Sequence, residues 1–193
     1  MAKLSNAEAA LLGLLSEQAM YPYQIEREVA HRDMRSWTEL SMSSIYKLLR
    51  KLEKDGFVTR TNRISAANRL RALYRITKKG KAALLGKLEA LLSEPEHVRW
   101  GVDIAIYNCD LLPRGKARAA LEKYREAVKE KIKWYERLLK CLQDEGCPAH
   151  QHGVAGRPAF LLRGDLQWAE DYLARLDNTL PGKRPLEIKK KGE

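Results

Sequence analysis

The chain has few cysteines and no long apolar run. Its three cysteines, Cys109, Cys141 and Cys147, form no Cys-x-x-Cys pair, and an odd number of isolated thiols favours a reducing compartment over a disulfide scaffold. No stretch approaches the roughly 18 apolar residues needed to span a bilayer. The first residues show neither the apolar region nor the cleavage site of a secretory signal. We therefore expect a cytoplasmic protein.

Catalytic and metal-binding constellations are also lacking. No serine, cysteine or carboxylate pair comes with the partners that a nucleophile or general acid requires, so the sequence predicts no enzyme and no cofactor. One loop places Cys147, His150 and His152 close together. Zinc usually takes four ligands from two separated pairs, which this single Gly/Pro-rich loop does not supply. No metal site is predicted.

Positive charge is what the chain has in excess, with a formal net charge of +11 and a pI near 9.6. The segment from Ser41 to Lys81 holds twelve lysines and arginines against Glu53 and Asp55, a balance of +10. Nearly all of the excess therefore lies in one segment. Such a patch favours a polyanionic partner such as nucleic acid.

The elements around this patch follow the order of a winged helix-turn-helix. Ser5 and Glu8 form a capping box that begins a first helix, and Pro22 suits the first turn of a second. Ser41 caps a third helix, which Gly56 ends. The apolar residues of the second helix are Tyr23, Ile25 and Val29, and those of the third are Ile45, Leu48, Leu49 and Leu52.

A short two-stranded wing is predicted after the third helix. Residues 57–59 and 73–76 are expected to form its strands, with a polar, basic connection from Asn62 to Leu70. Thr77 then caps a fourth helix, which ends at Leu92 and has an apolar face formed by Ala82, Leu84, Leu85, Leu88, Leu91 and Leu92.

An all-helical region is predicted beyond a boundary at Glu94-Pro95-Glu96. A short helix around residues 100–107 and a long helix after Pro113 precede a stretch, residues 146–158, that glycine and proline interrupt. The last helix carries a heptad seam, which packs against the long helix or, as we prefer, across a dimer axis. The seam residues, predicted to dimerise the chain, are Leu162, Leu166, Ala169, Leu173, Leu176 and Leu180.

The predicted fold class is therefore mainly α, an N-terminal winged helix-turn-helix followed by a helical dimerisation domain. The predicted boundaries are residues 1–92 for the first domain, 96–182 for the second and 183–193 for a charged tail.

Three segments resemble the PadR family of transcriptional regulators: Met20-Tyr21-Pro22-Tyr23-Gln24-Ile25, residues 44–58 (SIYKLLRKLEKDGFV) and residues 74–80 (YRITKKG). The resemblance covers residues 5–92 closely, and the rest is similar to the longer helical domain of the larger members. It implies homodimers that repress inverted-repeat operators. It also implies relief of repression by phenolic or other small aromatic effectors, as is common in the family.

The same resemblance implies which residues contact double-stranded DNA. In the third helix they are Ser43, Ser44, Tyr46, Lys47, Arg50 and Lys51, and in the wing they are Arg63, Arg69 and Arg71. The chain departs from the family at Pro22, where glycine is frequent, and at Lys47, where proline is frequent. The wing also lacks the usual Gly-Arg-x-x-Lys pattern. Tyr46 is alternatively a packed aromatic with a solvated hydroxyl.

The predicted function is thus sequence-specific DNA binding by a homodimeric repressor. A winged-helix adaptor that docks proteins is the alternative, and a basic membrane-surface protein ranks last because no suitable amphipathic helix is evident. Several aromatic residues are interpreted as core or interface anchors, with an effector pocket between the domains as the alternative. They are Trp37, Trp100, Trp134, Trp168, Tyr107, Tyr124, Tyr135 and Tyr172.

Overall fold

A computed structural model of the chain describes residues 4–64 and 70–176. The chain divides into two compact units, Met1–His97 and Val98–Glu193. Arg69, Leu180 and the predicted tail, residues 183–193, lie outside the described residues, and the predicted domain boundaries at residues 92 and 96 stay predictions. No helix within the described ranges combines the length and the apolar character needed to cross a membrane.

The first unit consists of four α-helices, a short 3₁₀ helix (Met34–Ser36) and a two-stranded antiparallel sheet within the described residues. The helices are α1 (Asn6–Glu17), α2 (Pro22–His31), α3 (Met42–Lys54) and α4 (Lys78–Ser93), and the strands are β1 (Val58–Ile64) and β2 (Leu70–Ile76). The predicted caps of α1, α3 and α4 are confirmed, since Ser5, Ser41 and Thr77 each accept a hydrogen bond from the third residue of the helix. Gly56 follows α3 with φ +74°, which favours glycine.

The core of this unit is built around α1, which is buried on nearly every side. Ile45, Leu49 and Leu52 of α3 are buried against it, and Leu48 packs at its edge. The predicted apolar face of α3 is therefore confirmed, and it turns the opposite, cationic face of the helix toward solvent.

The wing is longer than predicted. Its strands pair in register from Val58 with Ile76 to Ile64 with Leu70, so the predicted connection beginning at Asn62 and ending at Leu70 was wrong at both ends. Backbone pairing continues past the last buried residues because a solvent-exposed antiparallel ribbon needs no apolar alternation on either face. Two backbone hydrogen bonds of 3.0 Å between Met20 and Tyr74 join β2 to the segment before α2.

The apolar face predicted for α4 is only partly used inside the unit. Leu84 is buried and Ala83 packs against the core. The leucines further along the helix, Leu85, Leu88, Leu91 and Leu92, are all exposed, and Leu92 is 90% exposed.

The second unit contains α5 (Gly101–Tyr107), α6 (Arg114–Asp144) and α7 (Ala149–Leu176). The helices α6 and α7 run antiparallel, since Arg114 donates to the Leu176 carbonyl at 2.5 Å and Arg163 pairs with Glu136 at 2.8 Å. Their buried residues are Ala117, Leu121, Val128 and Ile132 of α6 and Ala155, Ala159, Ala169 and Leu173 of α7.

Residues 149–158 are helical, so the predicted interruption extends too far. Gly153, Gly156 and Pro158 all lie inside α7, and the chain turns earlier, at Gly146 with φ +67°. Small residues let the two helices approach closely: Ala155 and Ala159 are buried, and a Cβ built on Gly156 would lie 3.9 Å from Leu139. Burial against α6 offsets the low helix propensity of this segment.

The heptad seam lies on the side of α7 that packs within its own chain. Ala169 and Leu173 are buried, and Leu162, Leu166 and Leu176 are half-buried, while α7 makes its extensive contacts with α6. The structure therefore favours the intrachain alternative for these residues, and their role in a dimer stays a prediction.

Candidate nucleic-acid interface

The outer face of α3 presents the cations that the sequence assigned to DNA. Lys47 and Arg50 are exposed, and so is Ser43 in the first turn. Tyr46 is 51% exposed, so its ring is not a core residue. Met42, at the start of the helix, is 63% exposed and was missed by the sequence reasoning. An apolar side chain at the start of such a helix suits contact with a thymine methyl group.

Ser44 is engaged in capping rather than free on the surface. Its hydroxyl donates to the Ser41 carbonyl at 2.7 Å and accepts from the Ser41 amide at 2.8 Å. The Ser43 hydroxyl lies 3.2 Å from the Ser41 hydroxyl. Among the candidate serines, Ser43 is therefore the more available for a base edge or a phosphate.

Lys51 is exposed along its stem, but its ammonium pairs with Glu8 of α1. Glu8 is 1% exposed. Burial alone would raise the pKa of its carboxyl, but the hydrogen bonds from Lys51 and Ser5 outweigh burial and leave the pKa below its ordinary value. The same hydrogen bond raises the pKa of Lys51. Two opposite charges thus neutralise each other here, which the spacing of cations along α3 does not reveal.

The wing places two arginines directly opposite each other. Arg63 and Arg71 are partners in the strand register, and both belong to the face that also carries Arg75. Like charges at directly opposed positions destabilise a sheet. Both side chains are exposed, so this face of the ribbon is cationic.

A groove of about 410 Å³ joins α3, the start of α2 and the wing. Tyr21 and Tyr23 stack with ring centres 5.8 Å apart, and the Arg71 guanidinium lies 5.2 Å from the Tyr23 ring centre. Tyr46 completes the lining from α3. Tyr23 is 49% exposed, unlike Ile25 and Val29, the other apolar residues assigned to α2, which are buried. The signal was the Tyr-Pro-Tyr sequence, which puts two aromatic residues at a helix start beside a basic wing.

The helical unit contains a separate cavity of about 650 Å³ with aromatic walls. Trp100, Trp134 and Trp168 line it together with Tyr135, Lys131 and the carboxylates of Asp103 and Asp165. Tyr124 donates to Asp165 at 2.5 Å, and burial together with this hydrogen bond raises the pKa of Tyr124 to about 12. Four of the eight aromatic residues singled out in the sequence thus line one cavity.

Tyr124 and Tyr172 pack against Trp168 of this cavity, whereas Trp37, Tyr107 and the Cys147/His150/His152 group do not converge in this way. Tyr107 is 87% exposed, and Trp37 belongs to the first unit. Across residues 4–64 and 70–176, no group of His, Cys, Asp or Glu side chains is arranged to hold a metal ion.

Residues 11–85 match the family model of the transcriptional regulator PadR-like family. No curated protein sequence matches the chain. Among solved structures, Bacillus subtilis PadR in complex with operator DNA superimposes with a TM-score of 0.73 at 22% identity, covering 88% of this chain and 98% of that one.

Two further structures give the same picture. Bacillus subtilis PadR in complex with p-coumaric acid has a TM-score of 0.71 at 23% identity, covering 88% of this chain and 98% of that one. The Vibrio cholerae virulence activator AphA has a TM-score of 0.64 at 19% identity, covering 90% and 99%. At these identities the likeness establishes a shared fold. Residues 11–85 thus match the PadR-like family of transcriptional regulators, and the chain is similar in fold to the solved members of that family.

Proposed function

We propose that the chain is a sequence-specific, DNA-binding repressor that acts as a homodimer on an inverted-repeat operator in the cytoplasm. The observation that carries the proposal is the outer face of α3, where Lys47 and Arg50 are exposed beside Ser43 and Tyr46. A helix of this kind fits the major groove, where arginine and lysine contact guanine edges and phosphates. The arginines of the wing extend this cationic surface, so that it can follow the phosphate backbone of the DNA.

In the test, DNA from the promoter region of the protein's own gene is titrated with the protein. Binding is measured by fluorescence anisotropy at several salt concentrations. Replacing Lys47 and Arg50 by alanine removes two phosphate contacts. The slope of log K against log salt is therefore expected to flatten by about 1.8. Lys140, an exposed lysine on α6, provides the matched control, and Lys140→Ala leaves the slope unchanged. Unchanged binding by the double variant would instead favour the adaptor hypothesis.

Lys51 is left out of that double variant for a structural reason. Its removal leaves the Glu8 carboxylate buried without its cationic partner, and a stranded buried charge destabilises the fold. A loss of binding in a Lys51 variant could then come either from a lost DNA contact or from a destabilised fold.

Large exposed apolar side chains support the homodimer. In the helical unit, Ile104 is 71% exposed and Phe160 is 73% exposed, because two long helices and one short helix cannot cover each other completely. A partner that covers these side chains removes their apolar surface from water, which favours association. The second copy of the chain covers this surface, and two-fold symmetry then presents two α3 helices about 34 Å apart to successive major grooves.

The aromatic cavity supports a small aromatic effector that relieves repression. Its tryptophans offer planar stacking surfaces, and one PadR structure with this fold is described as a complex with p-coumaric acid. Titration of planar aromatic compounds, followed by tryptophan fluorescence, tests for binding. Trp168→Leu is expected to abolish the response, whereas Trp37→Leu, in the other unit, is expected to preserve it.

Repression is tested with a transcriptional reporter driven by the same promoter region. Deletion of the gene raises reporter expression if the protein represses and lowers it if the protein activates. An effector should raise expression in the presence of the wild-type protein and leave it unchanged in the deletion strain.

A further inference from the structure

Glu8 is the one charged residue that is fully buried in the described part of the chain, with 1% of its surface exposed. Its two carboxylate oxygens have different partners. Oε2 accepts from the Ser5 amide at 2.8 Å, which completes the capping box of α1. Oε1 accepts from the Lys51 ammonium on α3, 43 residues away in the sequence.

The cap alone does not account for a carboxylate. Glutamine serves equally well at the third position of a capping box, because one carbonyl oxygen is enough to accept from the cap amide. A buried negative charge is costly unless it is paired. The charge of Glu8 is therefore explained by its second partner, Lys51, and not by the start of α1.

Lys51 lies four residues after Lys47, so the two side chains leave α3 in similar directions. The Lys51 ammonium nevertheless turns to Glu8 on α1. Moving it to a phosphate would strand the buried carboxylate, and breaking such a pair costs more than one surface phosphate contact returns. Lys51 therefore remains with Glu8 when DNA binds.

We infer that Glu8 is a positioning residue for DNA binding: its carboxylate fixes the second half of α3 against α1 and withholds Lys51 from the phosphates. This inference rests on the proposed DNA-binding function. It divides the cations of α3 into two groups. Lys47 and Arg50 release counterions from DNA, whereas Lys51 sets the orientation of the helix that carries them.

The salt dependence of binding to the promoter region tests this division, because each phosphate contact contributes about 0.9 to the slope of log K against log salt. Lys47→Gln is expected to flatten the slope by about 0.9, and Lys51→Gln to leave it unchanged. Glu8→Gln frees the Lys51 ammonium and is expected to steepen the slope by up to about 0.9. The double variant Glu8→Gln/Lys51→Gln returns the slope to the wild-type value.

Two controls accompany the set. Glu53→Gln makes the same change of charge on α3 itself, and the slope should not change. Circular dichroism checks that each variant is folded. If Lys51→Gln fails to fold, comparison of Glu8→Gln with the double variant, which has no buried charge, gives the same answer.

The two proposals fail in different ways. Flattening by Lys51→Gln to the same extent as by Lys47→Gln overturns the inference and leaves DNA binding intact. The inference is also overturned if Glu8→Gln and the double variant Glu8→Gln/Lys51→Gln show the same salt slope. If wild-type protein shows no salt-dependent binding, and Lys47→Gln and Arg50→Gln behave like the wild type, the proposed function fails as well.

Discussion

Gly80 lies in the first turn of α4, where the helix passes against the backbone before the wing. A Cβ at this position would lie 2.1 Å from the Phe57 carbonyl oxygen, which is too close for a non-bonded carbon and oxygen, so the backbone would have to shift. We expect Gly80→Ala to lower the free energy of unfolding by about 1–3 kcal/mol. Urea unfolding followed by circular dichroism measures the change.

Gly86, in the same helix, provides the control, because a Cβ there meets no atom within 4 Å. Gly86→Ala is expected to raise the free energy of unfolding by about 0.5–1 kcal/mol, since alanine loses less backbone entropy in a helix. Equal effects of the two substitutions would contradict the close contact between α4 and Phe57.

Glu8 gives the fold a specific sensitivity to acid. Its carboxyl pKa is lower in the folded chain than its ordinary value of 4.5. The stabilisation is therefore fully present above that value and is lost as the pH falls through the folded-state pKa. At pH 7, Glu8→Gln should lower the free energy of unfolding by about 1–3 kcal/mol. Between pH 5 and pH 3 the difference from the wild type should shrink.

Glu17 is the matched control, because its carboxyl pKa is also lowered, by Arg32 first of all, but on the surface. Exposed pairs contribute about 0–1 kcal/mol, so Glu17→Gln should have a smaller effect at pH 7. Parallel stability curves for Glu8→Gln and the wild type, from pH 7 to pH 3, would show that Glu8 contributes no acid sensitivity.

Contacts between individual side chains that lie far apart in the sequence could not be predicted. The caps of α1 and α3 were predictable because each is a local motif of four residues. The Glu8–Lys51 pair joins residues 43 positions apart, and nothing in the spacing of cations along α3 separates Lys51 from Lys47. The contact between Tyr23 and Arg71 could not be predicted for the same reason, since Arg71 lies on the wing.

At the scale of elements, the wing has a strongly cationic face on an exposed ribbon. Arg63 and Arg71 oppose each other in the register. Arg63→Thr removes this repulsion and places a residue with high β propensity in the strand. We expect it to raise the free energy of unfolding by about 0.2–1 kcal/mol at low salt, with a smaller gain at high salt. It should simultaneously weaken DNA binding and flatten the salt slope by about 0.9.

Asn62→Thr on the other face of β1 separates these effects. It makes a similar change in β propensity without removing a charge, so stability should change while the salt slope should not. If urea unfolding showed that Arg63→Thr lowers the free energy of unfolding, repulsion between Arg63 and Arg71 would not be the dominant effect at this position.

Elements with clear periodic patterns were predicted well, and elements with breakers in their interior were not. Ile45, Leu49 and Leu52 mark the buried face of α3 directly. In α7, Gly153, Gly156 and Pro158 suggested a loop, but the segment is helical, because burial of Ala155 and Ala159 against α6 outweighs weak propensity. Tertiary packing of this kind leaves no local signal in the sequence.

At the scale of the whole molecule, the two units differ in how completely they bury their own apolar residues. The first unit buries a continuous core from Leu4 to Leu84. The second unit buries eight residues along α6 and α7 and leaves Phe160, Ile104 and Leu111 largely exposed. The heptad pattern correctly predicted a packed helix. It could not say which partner the seam meets, since the same spacing suits an intrachain or an interchain helix.

Two kinds of substitution in α7 therefore have different expected consequences. Phe160→Glu places a charge on the exposed face and should convert a dimer into a monomer of 22.1 kDa, measured by sedimentation at micromolar concentration. Leu173→Ala removes a buried side chain and should lower the free energy of unfolding by about 2–5 kcal/mol without a specific effect on mass. Gln151→Glu, an exposed polar position on the same helix, should leave both properties unchanged.

The Phe160 variant should also lose its preference for paired half-sites, because a monomer presents one α3 helix. A wild-type protein that sediments as a monomer, or a dimeric Phe160→Glu variant, would remove this face from the interface.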